Sequence, residues 1–404
     1  MNKYLKYLIP LLFTLAILLG LLQRNEGRYT VNNQNSKIRL SDEAQKELWG
    51  FYKKSQQFSS KDEEGKTSVS FLAVGDIMLS RKVAGKIQKS GDLQLPFRMM
   101  KNTFDSVDFS FGTLASPFSG EDTFNTAGSI IFNAPRDNIK GLVESKFKIL
   151  NLANNHALDQ DEDGLAYTLK YLDDNNIKHI GAGMNLNEAW QPATLDANGI
   201  KICFIGASYA SINDNGQSHN NYIARIEDLD KLKTAILNLK SSCDFTVATM
   251  HAGKEYTRTP NDAQIKFAHA AIDAGADVVI GHHPHWVQTI ERYCPAASSS
   301  PGEEKMPEGL MRSNCLNPKY IFYSLGNFIF DQMWSQETRE GLTLKIQISI
   351  NQTSNLQSPR QPAQLDSIEL IPVIIDNYST PRPANPDETK SILEKIGETN
   401  TLLK

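Results

Sequence analysis

The chain has 404 residues, and its 42 Lys plus Arg stand against 46 Asp plus Glu, a formal net charge of −4. No strongly basic field exists to hold a nucleic-acid backbone, so nucleic acid is not an expected partner. Cys203, Cys243, Cys294 and Cys315 are too few for a disulfide scaffold and form no CxxC pair, which excludes a zinc ribbon.

An uncharged run from Leu8 to Leu22 opens the chain, preceded by Lys3 and Lys6 and followed by Arg24, Glu26 and Arg28. As a helix, Tyr7 to Leu22 spans roughly 24 Å, short of the ~30 Å hydrocarbon core but workable with thinning and snorkelling. Residues 1–23 therefore read as a membrane anchor, with a cleaved signal peptide as the alternative. No small-x-small site follows the run, and Gly20 precedes Leu21 rather than a lipoprotein cysteine. The charge bias puts the N-terminus in the cytoplasm and the bulk of a single-pass protein outside the cell membrane. Residues 24–66 are polar and read as a tether, able to form a helix over Leu40–Phe58.

From residue 67 to 376, apolar runs alternate with helical patterns. The predicted strands are Ser68–Val74, Phe147–Ala153, Ile200–Gly206, Asp244–Met250, Asp277–Ile280, Tyr320–Leu325, Leu342–Ile348 and Ile368–Ile374. Helices are predicted at Asp161–Asn176, with Leu165, Leu169 and Leu172 on one face, and at Asp262–Gly275, with Ile265, Ala268 and Ile272. This is an α/β layout with strands buried on both faces. The polar stretch 294–318 reads as an inserted loop, whose ends Cys294 and Cys315 could bridge in an oxidising space. Cys203 and Cys243, in or beside apolar strands, read as buried thiols. Residues 377–404 are left as a C-terminal extension.

Five strands finish in metal-capable groups: VGD at Asp76, LANNH at His156, ATMH at His251, VVIGHHPH at His285 and YSLGN at Asn327. In open α/β sheets ligands bind at the carboxyl ends of strands, so this recurrence predicts one convergent cluster. Each residue alone has a plainer reading: Asp76 as a turn or helix cap, Asn154 and Asn155 as turn formers, His251 as a hydrogen-bonded core histidine. The H-P-H of His283, Pro284 and His285 points most directly to metal ligation. A carboxylate, an amide and several imidazoles form a mixed O/N set suited to Mn, Fe or Zn. Metal-assisted hydrolysis is the reaction class such a set serves. His156 could act as general acid, and Glu255 is either an outer carboxylate fixing an imidazole or a surface charge.

The ordered motifs VGDIMLSRKV, LANNHALD, MHAGKEY, GADVVIGHHPHWVQTIE and YSLGNFIFD resemble the CapA family of capsule and poly-γ-glutamate biosynthesis proteins over residues 68–375. The resemblance implies a calcineurin-like metallophosphoesterase fold, a two-sheet αββα sandwich with a metal site at one edge. It also implies an externally facing membrane protein, with polymer-synthase subunits and an anionic polymer or phosphoester as partners. By motif, Asp76, Asn155, His251, His283 and His285 become metal ligands and His156 the catalytic histidine. Asn155, His251 and His283 would share one metal, Asp76 and His285 the other.

Two departures stand out. Met78 replaces the histidine usual two residues after the first aspartate. Thr113-Leu114-Ala115 stands where CapA-like chains carry Asn-Leu-Glu, so one divalent ion is as well supported as two. Asp105, Asp108, Glu121 and Asp122 are the nearby carboxylates in sequence. A metal-dependent hydrolase and a non-catalytic, membrane-tethered assembly factor with a degenerate site are both consistent with this pattern.

Overall fold

A computed structural model describes residues 66–126, 128–209, 220–295, 317–351 and 362–403. These lie within one compact unit, Gly65–Lys404. The expected anchor, the tether and most of the inserted loop fall outside the described residues. Among the described residues no helix is long and apolar enough to cross a membrane.

The strands are β1 (Lys66–Ile77), β2 (Phe109–Leu114), β3 (Phe147–Asn151), β4 (Lys178–Ile180), β5 (Ala193–Ala197), β6 (Ile200–Ser208), β7 (Phe245–His251), β8 (Val278–His282), β9 (Ile290–Tyr293), β10 (Lys319–Phe322), β11 (Asn327–Ile329), β12 (Glu340–Asn351), β13 (Gln364–Asp376), β14 (Thr380–Pro383) and β15 (Leu402–Leu403). The longer helices are α1 (Arg81–Ser90), α2 (Asp161–Asp174), α3 (Leu229–Leu239), α4 (Asp262–Ala274) and α5 (Pro386–Lys395). All eight predicted strands and both predicted helices form. One sheet runs β14-β13-β12-β1-β2-β3-β4, with β11 beside β1 and β15 beside β13; the other runs β5-β6-β7-β8-β10-β9.

Side-chain alternation turns these sheets into four layers. Along β1, Val69, Phe71 and Ala73 face Phe204, Val247 and Ile280 of the second sheet, while Leu72 and Val74 face Val83 and Ile87 of α1 and Leu165, Leu169 and Leu172 of α2. On the far side, Ala207, Ala248 and Val279 pack against Leu232 and Ile236 of α3 and Phe267, Ala268 and Ile272 of α4. A period of two on strands and of three to four on helices leaves each sheet with two apolar faces, which only a helix–sheet–sheet–helix stack covers. The capping box at Asn261 and Gln264 sets the start of α4. Residues 377–403 complete this stack, since β14 and β15 extend the first sheet and Leu393, Ile396 and Leu403 enter the inter-sheet core.

The expectation of two buried thiols is corrected. Cys203 on β6 is disulfide-bonded to Cys243 just before β7, with Cα atoms 5.9 Å apart. The parallel pairing of β6 with β7 brings the two together after the excursion through α3, a juxtaposition that burial alone does not reveal. Cys294 is also disulfide-bonded; its expected partner, Cys315, lies outside the described residues.

Candidate metal and acid–base site

The first four strands of the larger sheet and β6, β7, β8 and β10 of the smaller run parallel, so their carboxyl ends meet along one edge of the sandwich. Glycines allow the close approach there. A Cβ on Gly75 would lie 2.1 Å from the Gly326 carbonyl oxygen, and Gly326 itself has φ +67°. The VGD and SLGN motifs are thus two halves of one contact, which brings Asp76 beside Asn327 in the β1–β11 register.

Six predicted residues come together here. Asp76, fully buried, accepts the His283 backbone N–H through Oδ2 at 3.3 Å. Its Oδ1 lies 3.7 Å from His251 Nδ1 and its Oδ2 3.7 Å from His285 Nδ1. His251 Nε2 meets Asn155 Oδ1 at 2.9 Å, and Asn155 Nδ2 meets His156 Nε2 at 3.2 Å. The His283 ring is 4.9 Å from that of His251 and 6.1 Å from that of His285. Asp76 therefore touches a member of each ligand set that the resemblance implies, rather than belonging to one alone.

His282 differs from its neighbours. It lies on β8, and its Nε2 meets the Val74 carbonyl of β1 at 3.1 Å, with Thr249 Oγ1 3.4 Å from Nδ1. It is a core histidine joining the two sheets. The chain then turns, and His283 and His285 take φ values of +101° and +58°. Such values are costly for non-glycine residues and gather at functional sites.

Burial governs the electrostatics. It pushes the Asp76 carboxyl up to about 8, partly offset by the His283 N–H and reinforced by the charge of Glu255. Burial likewise holds His251 and His283 well below the ordinary imidazole value, with the neighbouring imidazoles adding to the effect. His285 is held at about 4 by burial, and the Arg81 charge acts in the same direction. Asp76 Oδ1, His251 Nδ1 and His283 Nδ1 are buried with no hydrogen-bond partner. Orphaned polar atoms cost about 1–3 kcal/mol each, and a carboxylate oxygen and two imidazole nitrogens are donor types that a divalent cation takes. Among the described residues, no three or more His, Cys, Asp or Glu side chains are arranged so that they could hold a metal ion together.

Sequence reasoning missed two supporting residues. Asp159 Oδ2 receives His156 Nδ1 at 2.8 Å and the Phe132 N–H at 2.6 Å, and Phe132 stacks on His156 with centroids 4.0 Å apart. The H-x-x-D spacing in LANNHALD was the available signal. Asn327, expected in the cluster as a metal-capable strand end, accepts from His285 Nδ1 at 2.8 Å and donates to the Thr338 carbonyl at 2.9 Å. It orients that imidazole as outer partners of metal-binding histidines do. Asn154 braces the turn by donating to Leu114 O at 2.8 Å and accepting the His156 N–H.

Other candidates lie apart. Glu255 is exposed, and its charge acts on the buried Asp76 carboxyl. Thr113 accepts from Asn151 Nδ2 at 3.2 Å, and Ala115 and Met78 are buried in the apolar layer under the helices. Asp105 pairs with Lys101, Asp108 accepts from Ser70 and Asp122 pairs with Arg136, while Glu121 is exposed. None of these carboxylates replaces the one absent from the second strand.

Fold and cluster define a four-layer α/β protein with an Asp, Asn and His cluster at the carboxyl ends of its strands. Residues 70–332 match the bacterial capsule synthesis protein PGA_cap family, and the chain belongs to it. The PGA biosynthesis protein CapA of Bacillus subtilis (strain 168) is 30% identical over 319 residues, covering 78% of this chain and 74% of that protein. The capsule biosynthesis protein CapA of Bacillus anthracis is 28% identical over 330 residues, covering 79% and 74%. Among solved structures, the calcineurin-like phosphoesterase YfkN from Bacillus subtilis aligns with a TM-score of 0.44 at 12% identity, covering 82% of this chain and 97% of that one.

Proposed function

We propose that this CapA-like protein is a membrane-anchored, metal-dependent hydrolase of a phosphoester or related bond in capsule or poly-γ-glutamate synthesis, with its main domain outside the cell. The observation that carries this reading is that one cluster holds the buried, unpartnered Asp76 Oδ1, His251 Nδ1 and His283 Nδ1 and, joined through Asn155, the His156–Asp159 pair. Asp76, Asn155, His251, His283 and His285 would hold one or two divalent ions (Mn, Fe or Zn), which supply Lewis-acid activation of a phosphoryl oxygen.

The chain's own groups do the rest. Asp159 accepts the Nδ1 proton of His156 and so fixes the tautomer, leaving Nε2 on the side of Asn155. When protonated, His156 can deliver the Nε2 proton to a leaving oxygen, and the buried Asp159 carboxylate stabilises the imidazolium. Phe132 covers the ring face and limits water around the pair. Substrate charge must be met locally, because the net charge of −4 offers no general attraction to an anion.

The full chain, purified with its membrane segment and loaded with Mn²⁺, Fe²⁺, Zn²⁺ or Mg²⁺, should cleave a generic aryl phosphodiester or monoester. His156→Ala should abolish turnover while leaving thermal unfolding unchanged. Absence of turnover with every metal refutes the hydrolase. Cell fractionation with protease shaving tests the anchor, which should leave residues after 66 accessible from outside. A second reading, a non-catalytic assembly factor working with polymer-synthase subunits, is favoured by Ala115 and Met78. It requires polymer export to survive alanine at His156 and His283.

A further inference from the structure

We propose that Arg81 is the oxyanion-binding residue of this site, holding a phosphoryl or carboxylate group of the substrate beside His156 and His285. The proposal rests on the reading of the cluster as a substrate site and adds the residue that recognises substrate charge. Arg81 opens α1, five residues after Asp76, and its guanidinium lies against two rings that touch histidines of the cluster. It lies 4.8 Å from the Phe132 ring centroid and 5.6 Å from that of Phe330. Phe132 is the ring stacked on His156, and Phe330 lies edge-on to His285 at 4.9 Å. The cation thus rests on the two aromatic supports of the histidines at either side of the site.

Its donors exceed its acceptors. A guanidinium has five N–H groups; Nη1 donates to Ser129 O at 2.9 Å, and Nη2 to Asp331 Oδ1. Nε is buried without an acceptor among the described residues. The Arg81 side chain is 12% exposed, so an incoming oxyanion would find it largely desolvated, where a charge-assisted bidentate bond is strong.

The backbone agrees. Arg81 has φ +47°, and His283, His285 and Tyr256 around the same site also have positive φ. A left-handed conformation at an arginine is strained and persists where the surroundings over-determine it. Asp331 also accepts the Lys82 N–H at 3.3 Å, so it ties the guanidinium to the start of α1 without using all its donors. A purely structural ion pair would require neither the placement on both ring supports nor an excess of donors.

The test reads binding, not turnover, in the full chain stripped of metal with EDTA. Inorganic phosphate and free glutamate are titrated separately by calorimetry, to distinguish a phosphoryl from a carboxylate ligand. At least one should bind, and Arg81→Gln should weaken it about tenfold or more. Asp331→Asn, which keeps an acceptor for Lys82 but removes the counter-charge, should tighten binding. A merely structural Arg81 predicts no tightening in Asp331→Asn, and that result overturns the proposal even if Arg81→Gln fails to fold. Lack of binding by the parent chain, or unchanged binding in a folded Arg81→Gln, also overturns it. Because no arm depends on catalysis, loss of hydrolase activity and loss of this proposal are separable.

Discussion

Asp76 should cost the metal-free protein stability as pH rises through neutrality. Burial pushes its carboxyl up to about 8 from an ordinary 3.8, so the folded chain keeps a proton that the unfolded chain has released. Wherever the folded state binds more protons, stability falls with pH. Below about pH 6.5 an opposing trend operates. Burial holds His251, His282, His283 and His285 below their ordinary 6.5, so the unfolded state takes up the extra protons and stability rises with pH. Between about 6.5 and 8 the Asp76 effect remains. A full proton's difference is worth about 1.4 kcal/mol per pH unit, which gives a loss of about 2 kcal/mol across that window. Asp76→Asn has no proton to release there and keeps only the histidine contribution, which the parent shares and which cancels in the difference between the two chains. Urea unfolding of both chains in EDTA at pH 6.5, 7, 7.5 and 8 should show the stability difference moving toward the variant by about 2 kcal/mol. A difference constant across these pH values refutes the argument from burial. Excess divalent cation should remove the dependence in the parent chain by favouring its carboxylate form.

Two further outcomes follow from the same contacts. Asp159→Asn should lower hydrolysis about 10²-fold or more by releasing the His156 tautomer, and should move the acid limb of the pH–rate profile; an unchanged rate and profile would show that the pair is only structural. Replacing both Cys203 and Cys243 by Ser opens a loop of sequence separation 40. By chain entropy this should cost about 4 kcal/mol of unfolding free energy, visible as a lower urea midpoint than that of the non-reduced parent, whereas an equal midpoint would contradict the bond's role.

Much of the site could be read before any coordinates, because its residues lie at strand ends that the apolar runs define. Asp76, Asn155, His251 and the His283–His285 pair each follow a recognisable strand, and parallel strands bring such ends to one edge. Asp159 was not read as a partner of His156, since an acidic residue three positions on is ordinary beside a helix start. Arg81 was not singled out, since its placement depends on Phe132 and Phe330, 51 and 249 positions away in the chain.

The division has a physical cause. Local periodicity determined the strands and the helices α2 and α4, and the ordered motifs carried the resemblance to the family that residues 70–332 match, because each is read from neighbours in sequence. Tertiary structure decided which of the two adjacent histidines is core: His282 joins the sheets through Val74, while His283 leaves the strand at a positive φ. It also decided that Cys203 meets Cys243, that Asp76 stands between His251 and His285, and that none of Asp105, Asp108, Glu121 and Asp122 replaces the carboxylate missing at Ala115. These depend on inter-strand register and on the packing of one sheet against the other, and neither is encoded in the spacing of residues along the chain.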